Sequence, residues 1–241
     1  MNLQNAAERL TQDLASLCFQ PPVAYVYNPL EYARASYRRY VGRYGRSPRE
    51  VALVGMNPGP WGMAQTGVPF GEVAAVRHWL EIEAPIGRPR REHPKRPVHG
   101  LQCPRSEVSG RRLWGWARER FGTPQRFFER FLVLNYCPLL FLEESGRNLT
   151  PDKLPPAPRR RLLEACDRHL VEAIEFLQPR FVIGIGKFAE SRVRAVTEGM
   201  NASVTVGSIL HPSPASPAAN RDWAGQAEAA LRALGVRLPG D

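Results

Sequence analysis

Two short loops hold the residues whose types and spacing suit chemistry. The first is Gly55-Met56-Asn57-Pro58-Gly59-Pro60-Trp61-Gly62-Met63-Ala64-Gln65, directly after the apolar run Val51-Ala52-Leu53-Val54. Pro58 presets its own φ, and Gly59 permits an approach that a Cβ would forbid. A carboxamide held between such residues, here Asn57, can orient a water or read the edge of a ring. The second loop is His211-Pro212-Ser213-Pro214, after another apolar run. Its prolines restrict the unfolded chain, so the segment can press into a nucleic-acid groove with little further entropy loss. A positioned His211 imidazole can hydrogen-bond an oxygen that becomes negative as a bond breaks. A lone histidine also serves commonly as a structural residue, so the loop context carries that reading.

Two further positions stand beside these. Phe70 lies between Pro69 and Gly71, a turn that either buries an ordinary core aromatic or presents a platform on which a planar base stacks. Asn135 ends the apolar run Phe131-Leu132-Val133-Leu134 and precedes Tyr136-Cys137-Pro138. Its amide can satisfy loop backbone, or it can donate and accept side by side, matching the adjacent donor and acceptor of a pyrimidine edge.

These residues must be held by ordered elements. Apolar runs predict strands over 51–54, 131–135, 181–185 and 204–210, with an aromatic segment, Tyr25-Val26-Tyr27-Asn28-Pro29, left as a connector. Helical periodicity covers 3–17, 30–44, 72–82, a stretch containing Trp114 and Trp116, a long helix ending near 177, 187–196 and 218–234. Residues 85–112 read as a basic, proline-broken irregular segment, and 143–158 as a Pro-rich loop. Strands alternating with helices predict a three-layer α/β/α sandwich around a mostly parallel four-stranded sheet, one domain over 1–241. Parallel strands bring their carboxyl ends to one edge, where open α/β sheets bind ligands. That places Asn57, Asn135, Gly186 and His211 together.

The totals narrow the partners. A formal charge of +10 attracts polyanions, nucleic acid foremost, although a merely basic enzyme has the same balance. No apolar run approaches the ~18 residues of a membrane span. Residues 1–17 carry Glu8 and Asp13 and read as a helix, not a signal peptide. Cys18, Cys103, Cys137 and Cys166 are too scattered for a zinc site, an iron–sulfur cluster or a disulfide framework, so reduced and mostly buried thiols are expected. His78, His93, His99 and His169 form no ligand-spaced cluster and read as structural or solvent-facing. Gly184-Ile185-Gly186-Lys187-Phe188-Ala189 matches a dinucleotide fingerprint only formally, because no acidic residue follows at the required distance. Its helix N-terminus and Lys187 suit one DNA phosphate instead. No cofactor or metal is expected. No lysine lies in either principal loop, which argues against a Schiff-base nucleophile.

The run from Gly55 through Thr66-Gly67-Val68-Pro69-Phe70-Gly71-Glu72 closely resembles the first signature of the single-strand-selective monofunctional uracil-DNA glycosylases, and His211-Pro212-Ser213-Pro214 resembles their second. The likeness extends to Tyr25-Val26-Tyr27-Asn28-Pro29, to Gly100-Leu101-Gln102-Cys103-Pro104-Arg105-Ser106-Glu107-Val108-Ser109-Gly110, and to Asn135-Tyr136-Cys137-Pro138. Classical uracil enzymes carry an aspartate where this chain has Asn57, and mismatch-specific ones lack the histidine of the second motif.

The resemblance implies roles. Asn57 would orient a water toward the sugar C1′, and His211 would stabilise the departing uracil anion. Phe70 and Asn135 would bind the base, in a pocket that includes Met56, Gly59 and Met63. Ser213, Pro214 and Ala215 would intrude into the base stack, with Lys187, Arg147 and Lys153 on phosphates. The implied substrate is uracil, or an oxidised uracil such as 5-hydroxymethyluracil, in single- or double-stranded DNA. The implied product is an abasic site without strand cleavage. A monomer is expected, in a bacterial cytoplasm, which the lack of a targeting signal suits, or in the nucleus of a eukaryote. Animal members carry an arginine at the position of Ala215, so weaker flipping from intact duplex is expected here. A glycosylase for deaminated purines, or a silent damage-binding module, is the competing reading.

Overall fold

A run of residues that is apolar on both faces forms a stable strand only between two helical layers; three such runs do so here, and a fourth, half-exposed strand closes one edge of the sheet. A computed structural model describes residues 2–200 and 203–241. In chain order, α1 (Leu3–Ala15) precedes β1 (Tyr25–Tyr27), α2 (Pro29–Tyr32), α3 (Arg34–Tyr44) and β2 (Val51–Gly55). Then come α4 (Met63–Thr66), α5 (Val73–His78), α6 (Val108–Phe121), α7 (Pro124–Phe128), β3 (Phe131–Asn135), β4 (Leu140–Leu142) and β5 (Asn148–Leu149). The chain closes with α8 (Pro156–Leu177), β6 (Phe181–Ile185), α9 (Lys187–Thr197), β7 (Thr205–Ile209) and α10 (Pro217–Ala233).

The main sheet has the order β3-β2-β6-β7, and every pairing is parallel. Register aligns Gly55 with Asn135 and Ile185 with Ile209, so the strand ends share one edge as expected. Helices α1, α8 and α9 pack together in one layer, and α5, α6, α7 and α10 in the other. Strands β2 (Val-Ala-Leu-Val-Gly) and β6 (Phe-Val-Ile-Gly-Ile) are buried at every residue, as their lack of any polar side chain requires. An aromatic cluster of Trp114, Trp116, Phe121, Phe127 and Phe131 fills the space between β3 and the second layer.

Three expectations need correction. The segment Tyr25-Val26-Tyr27 is no mere connector: β1 pairs antiparallel with β4, which pairs with β5, in a second small sheet. Its pairing partners lie more than a hundred residues away in sequence, so periodicity within the segment could not reveal it. The helix expected over 30–44 is broken at Ala33 (φ −111°, ψ 24°), where Gly67 presses against the Ala33 carbonyl. Arg111 and Arg112 belong to α6, not to the irregular basic segment. That segment is nonetheless well tied down. The Tyr27 hydroxyl accepts from the His93 N–H at 2.6 Å and donates to the Arg96 carbonyl at 2.9 Å.

His93 and His169 are buried, whereas His78 and His99 are exposed. Cys18 is exposed; Cys103, Cys137 and Cys166 are buried, and all four thiols are free. Among the described residues no helix is long and apolar enough to cross a membrane.

Candidate active site

The loop after β2 is held largely by its own side chains. Gln65, fully buried, donates to the Pro60 carbonyl at 2.9 Å and the Pro97 carbonyl at 3.0 Å, and accepts from the His99 N–H at 2.8 Å. Thr66 donates to the Gly71 carbonyl at 3.0 Å, closing the turn that presents Phe70. Pairing also continues past the strand ends: the Cys137 N–H donates to the Met56 carbonyl at 2.9 Å. The loops after β2 and β3 therefore run side by side.

Within this frame the Asn57 amide nitrogen donates to the Leu139 carbonyl at 3.2 Å. That bond turns its carbonyl oxygen into a fixed acceptor. A water that donates one hydrogen to this oxygen would keep its lone pairs free to face outward. Leu139 precedes β4, so the small second sheet positions the residue that orients Asn57.

Phe70 has φ +52°, the left-handed region that bulky residues rarely occupy. Its carbonyl accepts from the Trp114 indole at 3.0 Å, so α6 holds the strained turn. The ring lies over the end of β2: a Cβ on Gly55 would sit 2.5 Å from Phe70 Cε2 and 2.6 Å from Asn135 Oδ1. Gly55 is thus the residue that lets ring and amide meet at the floor of the site. The Asn135 nitrogen faces Met63 Sδ at 3.2 Å, while its carbonyl oxygen is buried with no partner among the described residues. An orphaned buried acceptor costs about 1–3 kcal/mol, and persists where a ligand supplies the donor.

The His211 ring stands 6.0 Å from that of Phe70, centroid to centroid, at 43°. Burial pushes its pKa below the ordinary histidine value, so the imidazole is neutral at pH 7. Distant side chains pin this loop. Arg112 donates to the carbonyls of Pro212 (3.1 Å) and Ser213 (3.3 Å), and to Asn220 Oδ1 at 2.8 Å. Asn220 in turn donates to the Pro214 carbonyl at 2.9 Å, and the Trp223 indole to the Leu210 carbonyl at 2.6 Å. Gly186 (φ +92°) lies against the imidazole, where a Cβ would come within 3.3 Å of His211 Cβ.

Met56, Asn57, Gly59, Met63, Phe70, Asn135, His211, Ser213 and Pro214 together line one cleft of about 400 Å³. A larger cleft of about 770 Å³, between α1, β1 and residues 88–91, contains none of them. The smaller cleft is the candidate, because an oriented amide, an orphaned acceptor, a neutral imidazole and an aromatic face converge there. Among the described residues no group of three or more His, Cys, Asp or Glu is arranged to hold a metal.

The other expected DNA contacts stand apart from this cleft. Ala215 is exposed at the tip of the second loop, its N–H on Ser213 Oγ at 3.2 Å. Arg147 is engaged by Glu143 at 2.9 Å and Lys187 by Glu190 at 2.9 Å. Lys153 ends the turn Pro151–Lys153, just beyond Thr150, which lines the cleft. Sequence reasoning missed Glu107, Ser109, Asn148 and Thr150 as lining residues and Arg112 as a brace. Glu107 was readable as a helix N-cap, and it accepts from the N–H groups of Ser109 and Gly110. Desolvation raises its pKa against the pull of those bonds.

The profile of the Uracil DNA glycosylase superfamily matches residues 43–234. The single-strand selective monofunctional uracil DNA glycosylase of Mus musculus is 51% identical over 228 residues, which cover 95% of this chain and 82% of the mouse protein. The enzymes of the same name from Rattus norvegicus and Bos taurus are 52% and 50% identical over 95% of this chain, covering 82% and 84% of their own lengths. The crystal structure of SMUG2 from Pedobacter heparinus superposes with a TM-score of 0.69 over 98% of this chain and 100% of that one. At 16% identity, that likeness shows the fold alone.

Proposed function

The chain belongs to the uracil-DNA glycosylase superfamily, among the single-strand selective monofunctional enzymes, and from that membership we propose that it hydrolyses the N-glycosidic bond of uracil in DNA. The observation that carries the reading is the unpartnered Asn135 oxygen, buried beside Phe70 in the cleft that also holds Asn57 and His211.

The reaction follows from these positions. A base inside a duplex cannot reach a cleft of this depth, so the nucleotide must be taken from a single strand or rotated out of the stack. Phe70 supplies the stacking face. The Asn135 oxygen accepts from the uracil N3–H, and its nitrogen is available to the neighbouring O4 by exchanging its weak contact with Met63 sulfur. As the bond from C1′ to N1 breaks, negative charge builds on uracil O2, and the neutral His211 N–H donates to it. Asn57 holds the water that closes on C1′. Asparagine is a feeble base, which suffices when bond breaking runs ahead of attack and leaves an oxocarbenium-like sugar. Water contributes its hydroxyl to C1′ and its proton, through solvent, to the departing base.

Among the described residues no lysine lines the cleft, so an amine-linked intermediate and strand cleavage are not part of the reading. Ala215 offers only an exposed methyl to the gap that a flipped base leaves. This supports a preference for single strands or mispaired uracil over intact duplex.

The test is a labelled oligonucleotide bearing one uracil, incubated with wild type or Asn57→Ala and then treated with alkali. Alkali-dependent cleavage by wild type alone is the expected result. Intact uracil in both, with DNA still bound, would refute uracil excision and direct the assay to xanthine and hypoxanthine.

A further inference from the structure

Trp61 sits between Pro60 and Gly62, both of which line the cleft, but Trp61 does not line it. Its indole is half-buried, with the guanidinium carbons of Arg105 and Arg96 at 4.6 Å and 5.4 Å from the ring centroid. Neither arginine has an ion-pair partner among the described residues. This contrasts with Arg147 and Lys187, whose charge a neighbouring carboxylate already answers. Arg96 uses one Nη to reach the Lys95 carbonyl at 3.0 Å, and its Nε is buried with no partner. Two like charges stacked on one ring repel, and an anion placed between or over them relieves that repulsion.

The pair is also fixed relative to the catalytic loop. Gln65 joins the Pro60 carbonyl, next to Trp61, to the Pro97 carbonyl, next to Arg96. On the other flank, Ser106 donates to Glu72 at 2.9 Å, and Glu107 packs against Gly62, so the stretch carrying Arg105 is anchored too. A target nucleotide seated in the cleft continues into phosphodiesters on either side, and these must cross its rim.

Resting on the glycosylase reading, we propose that Arg96 and Arg105, stacked on Trp61, form a phosphate clamp for the strand that carries the target nucleotide. Guanidinium groups suit this task because their planar fork accommodates two phosphate oxygens at once. The contact holds the backbone and reads no base, so it serves any sequence context.

The test measures binding of a fluorescent single-stranded oligonucleotide containing one non-hydrolysable 2′-fluoro-2′-deoxyuridine, across a potassium chloride series. Wild type is compared with Arg105→Gln, Arg96→Gln/Arg105→Gln, Trp61→Phe and Trp61→Ala, with Arg168→Gln, which is paired to Asp13 away from the cleft, as control. Each lost phosphate contact should lower the slope of log K against log salt by about 0.7 and weaken binding roughly three- to tenfold. Trp61→Phe should retain most of the slope and Trp61→Ala should not; Arg168→Gln should match wild type. An unchanged slope in Arg105→Gln and in the double variant overturns the clamp. Excision of uracil by wild type, assayed separately, tells that outcome apart from failure of the glycosylase reading.

Discussion

The two loops that supply Asn57 and His211 are rigid for different reasons. The loop after β2 is braced mostly from within: Gln65 and Thr66, both in the motif, satisfy the Pro60 and Gly71 carbonyls, while Leu139 orients Asn57 and the Trp114 indole holds Phe70. The loop after β7 relies on others, since Arg112 from α6 and Asn220 and Trp223 from α10 hold its carbonyls. A self-braced loop should be coupled to folding, because losing its brace strands buried groups. A remotely braced loop can loosen while the fold persists, so its brace should govern rate more than stability.

The largest effects should come from the two chemical groups themselves. Asn57→Ala should lower the single-turnover rate by about 10²-fold or more, the scale for losing a positioned catalytic group. His211→Ala should lose about 10²- to 10³-fold, as for an oxyanion donor. Near-normal single-turnover rates in either variant would remove it from the mechanism.

The braces test the comparison directly. Gln65→Ala removes a fully buried side chain and leaves two part-buried carbonyls and an N–H unanswered, at up to about 1–3 kcal/mol each, so the midpoint of chemical denaturation should fall markedly. Arg112→Ala should cost about tenfold in rate through misplacement of His211, with a smaller loss of stability, because its bond to Asn220 is exposed and its guanidinium is not itself a buried side chain. If Arg112→Ala unfolds the protein and Gln65→Ala only slows it, the contrast between the loops is wrong.

A smaller effect is expected at the tip of the second loop. Ala215→Arg should raise excision from duplex a few-fold while leaving single-stranded substrate nearly unaffected, measured with matched oligonucleotides. An equal change on both substrates would show that residue 215 does not act on strand opening.

Acid should weaken the second loop first. Burial holds His211 below the ordinary value of about 6.5, so on acidification the unfolded chain takes up a proton that the folded loop resists. Stability linked to this residue is therefore complete above about pH 6.5 and is lost as pH falls below it. His169, buried between α8 and α1 and held at about 4, works in the same direction. Between pH 7 and 5, His211→Asn should show a flatter decline in denaturation midpoint than wild type, and His169→Asn a flatter one still. Asn57 does not titrate, so the first loop contributes no such dependence. A midpoint that rises on acidification would contradict the buried neutral imidazoles.

Much of this architecture can be read from the chain. Apolar runs forced three buried strands and a half-exposed fourth at the sheet edge, the helices between them forced parallel pairing, and parallel pairing forced Asn57, Asn135 and His211 to one edge. The motif from Gly55 to Glu72 points to Asn57 as the polar group of a stiff loop, and its resemblance to the family signature implies the role of each residue in it. Tertiary structure alone decided which atoms face which. Leu139 became the partner of Asn57 through pairing of β1 with β4, and Arg112 became a brace because α6 passes beside the second loop. The cations that remain without carboxylate partners were equally illegible: Arg147 and Lys187 look no different in sequence from Arg96 and Arg105. Backbone pattern is encoded locally by polarity and chain stiffness, whereas the partner of a polar side chain depends on elements far away in sequence, and no local periodicity records it.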